Sequence, residues 1–309
     1  MTVRQGESFQ PVVSVLMTAY NRSDYIRQAI ESVLQSTLKD FELVVVDNCS
    51  TDDTLAIARE FERADDRVRV FQNESNIGDF PNRNRAAGHA RGTYLKYVDS
   101  DDVIYPHGLD VMVRCMQKFP AAGLGLSATP DVLGPCPRLL TPHEAYREHF
   151  FNSDLLSRAP GSAIVRRSAF EAVGGFSGQR YIGDRELWLK IARRFDVVKM
   201  PMDLVWDRQH PSQEQRTQDK VDWTVMREEV EIAALGADDC PLDDGERSAA
   251  HATLSKNRAR NYWQFLGTKG GIRLASRYRK RASLPAGEIA EFVLARLGRR
   301  GSPARDRHS

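Results

Sequence analysis

Cysteine and long apolar runs are scarce in this 309-residue sequence. The four cysteines stand far apart and form no CxxC pair, which favours scattered reduced thiols over a zinc site or a disulfide framework: Cys49, Cys115, Cys136 and Cys240. No apolar stretch approaches the roughly 18 residues that a membrane-spanning helix needs. Residues 1–10 are polar and lack the apolar core of a signal peptide. These absences predict a protein that works in the cytoplasm.

A glycine-rich phosphate-binding loop is also missing after the first predicted strand. Residues 18–24 contain neither the dinucleotide fingerprint nor the Lys-Ser/Thr pair of a P-loop. This argues against a dehydrogenase and against a sugar-phosphate nucleotidyltransferase, both of which would need such a loop. Any bound phosphate would have to be met by a metal ion and by scattered basic side chains.

The charge is unevenly distributed, although 41% hydrophobic and 28% charged residues are ordinary for a globular protein. Residues 269–309 hold 11 Lys and Arg against 3 Asp and Glu, and the rest of the chain holds 33 against 39. A body of net charge −6 therefore carries a tail of net charge +8. Such a tail favours contact with a membrane leaflet, a nucleic acid or a partner protein, and the alternative is a solvated helix.

Alternating strand and helix patterns fill the first 120 residues. Four short apolar runs predict buried parallel strands at residues 12–18, 41–47, 68–72 and 94–99. Apolar residues at helical spacing follow the first and the fourth run: Ile26, Ile30, Val33 and Leu34, then Leu109, Met112, Val113 and Met116. Repeated strand–helix–strand units predict an α/β protein with a mostly parallel, Rossmann-like sheet covered on both faces by helices.

The remaining chain predicts a second part and a helical extension. Residues 120–142 are rich in Pro and Gly and are interpreted as a connection. A small strand at 162–166, a turn at 174–176 and a helix from about 184 to 195 follow, and beyond Pro211 the pattern is charged and helical. We therefore predict one domain at residues 1–215, with parts at about 11–119 and 120–215, and a helical, basic extension at 216–309.

Polar residues follow three of the predicted strands, at 18–22, 47–50 and 99–102. In open parallel sheets, ligands bind at the carboxyl ends of the strands. Asp99, Asp101 and Asp102 place three carboxylates within four residues, which repel one another unless a cation or solvent intervenes. Hard oxygen ligands suit Mg²⁺ or Mn²⁺ bound together with substrate phosphates. A D-x-D triplet alone remains compatible with an ordinary acidic turn.

Several motifs together resemble one enzyme family. The segments VSVLMTAYNR, VVVDNCSTDDT, NIGDFPNRNRAAGHARG and YLKYVDSDD, followed by GSAIVRRSAF, VGGF, GDRELWLKIA and RQHPSQ, resemble glycosyltransferase family 2 with its GT-A fold. The resemblance covers residues 11 to about 213. It implies inverting transfer of a single sugar from a nucleotide-diphosphate-sugar, with UDP or dTDP favoured, to a hydroxyl of a glycan, glycolipid, cell-surface polysaccharide precursor or small molecule.

The resemblance also implies roles for residues at the donor. Thr18 and Tyr20 would line the base and ribose pocket, and Asp47 would accept a hydrogen bond from the base. Arg83 would lie near the base or the diphosphate. Asp99, with Ser100 beside it, would hold the ribose or the sugar. In this interpretation residues 11–119 bind the nucleotide-sugar and residues 120–215 bind the acceptor.

Metal binding and catalysis are assigned in the same way. Asp101 and His210 would hold Mn²⁺ or Mg²⁺, although a lone histidine is more often a plain surface or core residue. Asp184 would be the general base, on a helix whose Leu187, Trp188 and Ile191 anchor it. The alternative for Asp184 is a helix N-cap.

Some positions depart from the family's pattern. Gly183 stands where many relatives have Glu, Asp53 replaces a common Gly, and Asn82 occupies a position that is usually small. Residues 213–216 echo the Q-x-x-R of polymerising members, but Thr217 replaces the Trp, and we interpret the echo as chance. The competing hypothesis is a catalytically silent nucleotide-sugar-binding or scaffold protein on the same fold. We expect no nucleic-acid partner, and we expect the basic extension to make peripheral contact with the inner face of the membrane.

Overall fold

Apolar, β-branched runs build the first half of the central sheet. The computed structural model describes residues 10–128, 135–210 and 219–290. Every residue of the run 41–47 is buried, as expected of a strand covered on both faces. The strands are β1 (Val13–Ala19), β2 (Phe41–Asp47), β3 (Val68–Gln72), β4 (Tyr94–Tyr97), β5 (Val103–Ile104), β6 (Leu124–Ser127), β7 (Arg138–Leu140), β8 (Ala163–Arg166), β9 (Val197–Met200) and β10 (Val205–Trp206).

The chain forms two compact units, Met1–Gln213 and Glu214–Ser309. In the first unit, helices pack their apolar faces on the sheet. In the first unit they are α1 (Ile26–Leu34), α2 (Thr54–Ala64), α3 (Asp79–Gly88), α4 (Gly108–Lys118), α5 (Pro142–Arg147), α6 (Arg167–Ala172) and α7 (Gly183–Ala192). The second unit contains α8 (Lys220–Leu235), α9 (Asp244–Leu266) and α10 (Gly271–Arg281). The predicted boundary at residue 215 and the Q-x-x-R segment fall within 211–218, outside the described residues.

Eight strands form the main sheet in the order β3-β2-β1-β4-β8-β6-β9-β7. The neighbours from β3 to β4 are all parallel, β8 is antiparallel to both β4 and β6, and β6 is parallel to β9. The strands β4, β6 and β9 therefore point the same way as β1 and β2. Their carboxyl ends share one edge of the sheet, where α/β proteins bind ligands.

The prediction of a connection at residues 120–142 is wrong. This segment contributes β6 to the middle of the sheet and β7 to its edge. The β6 strand has four residues, and its Gly125 allows the backbone to approach the neighbouring layer: a Cβ there would lie 2.8 Å from the sulfur of Met116 and 2.9 Å from Ile164. Because β6 is short and contains a glycine, it shows no pattern of alternating apolar residues from which a strand could be predicted.

Capping residues and a small core define the helical second unit. Asp219 accepts hydrogen bonds from two backbone amides at the start of α8, and Asp243 and Glu246 form a capping box at the start of α9. Two arginines of the basic segment 269–309 form ion pairs within this unit: Arg277 with Asp219 and Asp222, and Arg281 with Glu229. Within the described ranges, no helix has the length and apolar character to cross a bilayer.

Candidate active site

The first part of the site lies where β1 and β2 end side by side. Ala19 pairs with Asp47 in parallel register, and the side chain of Tyr20 is 42% exposed just beyond. Asp47 is fully buried, and its Oδ2 accepts a hydrogen bond from the Ser50 backbone amide at 3.0 Å. Its Oδ1 has no hydrogen-bond partner within the described residues. A buried carboxylate oxygen left unsatisfied is costly unless a ligand supplies the donor.

An asparagine network fixes the backbone around Asp47. Asn73 donates to Asn48 at 2.8 Å and to Asn82 at 2.9 Å, and Asn82 donates to the Val46 carbonyl. All three asparagine side chains are buried and tie the ends of β2 and β3 to α3. This explains Asn82, where a small residue is usual: here the amide completes a network that holds the strand ends.

The acidic turn follows β4. The backbone amide of Asp102 closes the turn by donating to the Asp99 carbonyl at 3.0 Å, and Ser100 and Asp102 are buried. Burial and the negative charge of Asp99 raise the pKa of Asp102, and they raise that of Asp207 as well. The turn therefore concentrates negative charge in a place where water screens it poorly.

Asp101 and His210 meet beside this turn. Their Oδ2 and Nε2 atoms lie 2.9 Å apart, and the same oxygen accepts a hydrogen bond from Arg22 Nε at 3.0 Å. The His210 ring is buried and packs on Tyr25, with ring centroids 4.7 Å apart. The structure thus brings together two residues 109 positions apart that were both predicted as metal ligands.

The residues present fit Mn²⁺ or Mg²⁺ bound to the donor. Asp101 Oδ1 accepts no hydrogen bond from any described residue, so that the carboxylate retains an oxygen for a cation. Carboxylate oxygen and imidazole nitrogen are both ligands that Mn²⁺ accepts. The carboxylates of Asp99 and Asp102 add negative charge beside this pair.

Arg83 links the acidic turn to α3. Its guanidinium forms ion pairs with Asp99 at 2.8 Å and with Asp79 at 3.0 Å. Burial opposes the charge of Arg83, but the two carboxylates raise its pKa well above the ordinary value. The guanidinium also lies over the Tyr97 ring, 5.6 Å from its centroid. Arg83 is therefore a fixed, permanent cation beside the acidic turn.

Asp184 lies in the first turn of α7. The N-cap of this helix is Ile182 and makes no side-chain cap, so Asp184 is not the N-cap. The residue is half-buried by surface area, and removal of its carboxyl group from water raises its pKa to about 6, although the Arg185 amide and Arg83 act in the opposite direction. A carboxylate whose pKa is close to neutral can accept a proton efficiently at physiological pH.

Close packing sets the position of α7. A Cβ on Gly183 would lie 2.9 Å from the Phe80 ring, so this glycine lets the helix start against α3. Asn84 donates to the Phe176 carbonyl at 2.8 Å and accepts from its amide at 3.0 Å, which holds the turn before α7 to the same helix. The glycine at position 183, where many relatives have Glu, thus has a packing reason.

Several residues of the site were not identified from the sequence. Arg208 donates its backbone amide to Asp102 at 3.0 Å and its Nε to the Asp101 carbonyl at 2.8 Å. The sequence assigned no role to Arg22, yet its Nε donates a hydrogen bond to Asp101. Lys96 is fully buried in β4, where burial lowers the pKa of its ammonium to about 7 against the influence of Asp99 and Asp102. A lysine inside an apolar run is the sequence signal that could have identified it.

Comparison with known proteins places the chain in a family. The sequence pattern of glycosyl transferase family 2 matches residues 14–174, about half of the chain. The chain is 36% identical over 114 residues to the uncharacterized glycosyltransferase MJ1057 of Methanocaldococcus jannaschii, and 31% identical over 107 residues to the glycosyltransferase GlyG of Streptococcus pneumoniae. These matches cover 36% and 35% of this chain, and only 39% and 36% of the two relatives.

Solved structures share the fold at low sequence identity. TarS 1–349 of S. aureus, in complex with UDP-GlcNAc, superposes with a TM-score of 0.67 at 20% identity, over 92% of this chain and 84% of that one. The mannosyltransferase PcManGT of Pyrobaculum calidifontis, in complex with GDP-Man and Mn²⁺, superposes with a TM-score of 0.58 at 18% identity, over 96% and 82% of the two chains. The fold is the GT-A fold, and the chain belongs to glycosyl transferase family 2.

Proposed function

We propose that this protein is an inverting, metal-dependent glycosyltransferase that moves one sugar from a UDP- or dTDP-sugar to a hydroxyl of an acceptor. The observation that carries the proposal is the 2.9 Å meeting of Asp101 and His210 at the carboxyl edge of the sheet. Asp99 and Asp102 lie beside this pair, and a divalent cation bound to Asp101 and His210 would offset their negative charge.

The donor would lie along the ends of β1, β2 and β4. The unsatisfied Oδ1 of Asp47 would accept a hydrogen bond from N3–H of uracil or thymine, with Thr18 and Tyr20 along the base and ribose. Asp99 and Ser100 would face the ribose or sugar, and Arg83 would add positive charge near the diphosphate. Residues 11–119 would thus form the donor part and residues 120–215 the acceptor part of a domain that ends near 215.

Asp101 and His210 would hold the cation on the diphosphate. A bound Mn²⁺ or Mg²⁺ would supply positive charge that stabilises the departing diphosphate. Solved neighbours support this assignment, because one contains UDP-GlcNAc and another GDP-Man with Mn²⁺.

Asp184 would act as the general base. Its ionised carboxylate takes the proton of the acceptor hydroxyl while that oxygen forms a bond to the anomeric carbon. The bond from the anomeric carbon to the diphosphate oxygen breaks, and the electron pair leaves with the nucleoside diphosphate. A single displacement of this kind inverts the anomeric centre. The pKa of about 6 leaves Asp184 ionised at neutral pH while it remains a competent proton acceptor.

Acceptor and location follow from charge. We expect a glycan or a lipid-linked acceptor, handled in the cytoplasm, with the basic extension touching the inner face of the membrane. Vesicles containing anionic lipid should retain the intact chain and lose it after residues 269–309 are removed. Equal retention of both forms would contradict the membrane contact.

A donor panel tests the enzymatic proposal. Calorimetry with UDP-, dTDP- and GDP-sugars, with and without Mn²⁺, should show Mn²⁺-dependent binding of a UDP- or dTDP-sugar. Asp101→Asn should weaken this binding about ten- to a hundredfold, because charge-assisted contacts to the cation are lost. Asp110→Asn makes the same change on the outer side of α4, where Asp110 pairs with Arg114, and should leave binding unchanged. Donor binding that is equal with and without Mn²⁺ would overturn the metal assignment.

A further inference from the structure

A cavity of about 120 Å³ opens at the same sheet edge, on the far side of β4 from β1 and β2. It lies beyond the ends of β6 and β9 and before the start of β8. Its wall combines apolar side chains with hydroxyl and charged groups, which include Met112, Met202, Ser127, Arg158, Ser162 and Asp203. Because the strand order separates it from the ends of β1 and β2, this space is distinct from the nucleotide's proposed position.

Arg158 is firmly held by its backbone, while its side chain is not paired. The indole of Trp188, fully buried in α7, donates to the Arg158 carbonyl at 2.7 Å, and Leu155 and Leu156 just before it are fully buried. The Nε of Arg158 is buried without a hydrogen-bond partner, and no described carboxylate forms an ion pair with the guanidinium. An arginine that is partly removed from water without a counterion is costly to the fold.

A second residue that lines the same cavity also carries an unsatisfied atom. The Oγ of Ser127, the last residue of β6, is buried and has no hydrogen-bond partner among the described residues. Native proteins leave few such atoms, and two in one cavity call for a common explanation. A guanidinium and a hydroxyl donor together are the groups that bind a carboxylate or a phosphate.

The cavity lies directly against the acidic turn. Gly161 forms part of its wall, and a Cβ on this glycine would lie 3.8 Å from Asp102 Oδ2. The Lys96 ammonium donates to the Gly161 carbonyl and to the Tyr97 carbonyl, which fixes this wall to β4. An anionic group in the cavity would therefore lie near Asp102 and beside the cavity's own Asp203, so that Arg158 would have to offset their negative charge.

We infer that this cavity is an acceptor subsite for an oxyanion, the carboxylate or phosphate group of an acidic acceptor, held by Arg158 and Ser127. That the bound anion belongs to the acceptor rests on the proposed function. That the cavity binds an anion rests on the geometry of the cavity alone. The exposed side chain of Met202 would pack against the part of the ligand that carries the anion.

Calorimetric titration with two probes, inorganic phosphate and glucuronate, tests the site. Each titration is run with and without saturating UDP and Mn²⁺, so that anions bound at the donor position are separated from anions bound in the cavity. Wild-type protein should bind at least one probe in both conditions, and Arg158→Gln should weaken binding about ten- to a hundredfold. Arg158→Lys should retain part of the affinity. Arg114→Gln removes a 75% exposed arginine from α4 and should change nothing.

Ser127→Ala separates a binding role from a structural one. Because its hydroxyl has no partner, removing it should leave the Tm unchanged or raise it, while probe binding weakens a few-fold. A preference for phosphate or for glucuronate identifies which anion the acceptor carries. If neither probe binds, or if Arg158→Gln and Arg114→Gln behave alike, the inference is overturned. If UDP fails to bind while Arg158-dependent probe binding persists, the donor proposal fails and the anion site stands.

Discussion

Two buried carboxylates on β2, five residues apart, have opposite surroundings. At the start of the strand, Glu42 Oε1 accepts from the Ser14 hydroxyl and the Arg91 amide, both at 2.6 Å, and Oε2 pairs with Arg69 and Arg91 at 2.8 Å. At the end of the strand, one oxygen of Asp47 accepts from Ser50, and the other has no partner in the described part of the chain.

The contrast extends to the two edges of the sheet. At the edge with Glu42, hydrogen bonds and ion pairs from protein groups compensate the buried carboxylate, as a structural role requires. The opposite edge holds the unsatisfied Asp47, the raised pKa of Asp184 and, further along, the unpaired Arg158. For Asp47 and Arg158, we expect a ligand to supply the partner that no described residue provides. Burial does not distinguish Glu42 from Asp47, whereas the hydrogen bonds that each carboxylate makes do.

The largest effect is expected at Asp184. Asp184→Asn keeps the shape of the side chain and removes the base, so kcat should fall about 10²- to 10⁴-fold. In the wild type, kcat/KM should rise with pH through about 6, because only the ionised carboxylate accepts a proton. Steady-state assays across pH 5 to 8 with the donor from the panel measure both. Activity within a few-fold of wild type would remove Asp184 from its role.

The same variant should gain stability at high pH. Folding raises the Asp184 pKa from an ordinary value near 4 to about 6, so its ionised form costs the folded state stability, and the cost grows as pH rises between these values. At pH 8, Asp184→Asn should raise the free energy of unfolding by about 1 to 3 kcal/mol, measured by urea unfolding. Asp110→Asn alters a pair on the outer side of α4 and should change neither kcat nor the free energy of unfolding.

Glu42 should show the opposite behaviour. Glu42→Gln leaves arginine and hydroxyl donors facing an amide, and should cost about 2 to 4 kcal/mol of unfolding free energy without changing donor specificity. Although burial opposes ionisation, the hydrogen bonds from Ser14 and Arg91 lower the Glu42 pKa. Its contribution is therefore complete above the unfolded pKa near 4.3 and is lost as pH falls through the lower folded value. Urea unfolding at pH 7 and at pH 3 should show the difference between variant and wild type shrinking at the acid end.

A matched exposed glutamate provides the control for Glu42. Glu60 pairs with Arg27 while about half of each side chain is exposed, and such pairs contribute little. Glu60→Gln should change the free energy of unfolding by less than about 1 kcal/mol. Equal losses in the two variants would show that burial of the Glu42 network carries no special weight.

Local patterns in the sequence predicted the strands β1 to β4 well, because these strands are continuous apolar runs. The run 41–47 matches β2 residue for residue, and the acidic turn follows β4 as predicted. The strand β6 was missed, because four residues containing Gly125 carry no periodicity to read. The meeting of Asp101 with His210 was expected only from the resemblance to a family, since no local pattern relates positions that far apart.

Satisfaction of polar groups could not be predicted at all. Within FELVVVD, Glu42 and Asp47 are equally acidic interruptions of one strand, and only the folded chain brings Ser14 and Arg91 to one of them. Arg158 belongs to no motif, and its significance depends on the absence of a counterion among the described residues. Such features are properties of tertiary packing, which local periodicity does not encode.

The smallest effect, and the sharpest test of the comparison, is expected at Asp47. In Asp47→Asn, the amide oxygen can keep the Ser50 hydrogen bond, and the NH₂ group replaces the unsatisfied oxygen. Stability should therefore stay within about 0.5 kcal/mol of wild type or rise, in contrast to Glu42→Gln. UDP should bind about three- to tenfold more weakly, because N3–H of uracil would face a donor. CDP should lose less or gain, because N3 of cytosine is an acceptor that the new NH₂ can reach. Calorimetry with UDP and CDP in the presence of Mn²⁺ measures the change in preference. An equal loss of affinity for both nucleotides would mean that Asp47 does not contact the base. A loss of stability as large as that of Glu42→Gln would mean that Asp47 and Glu42 stabilise the fold equally.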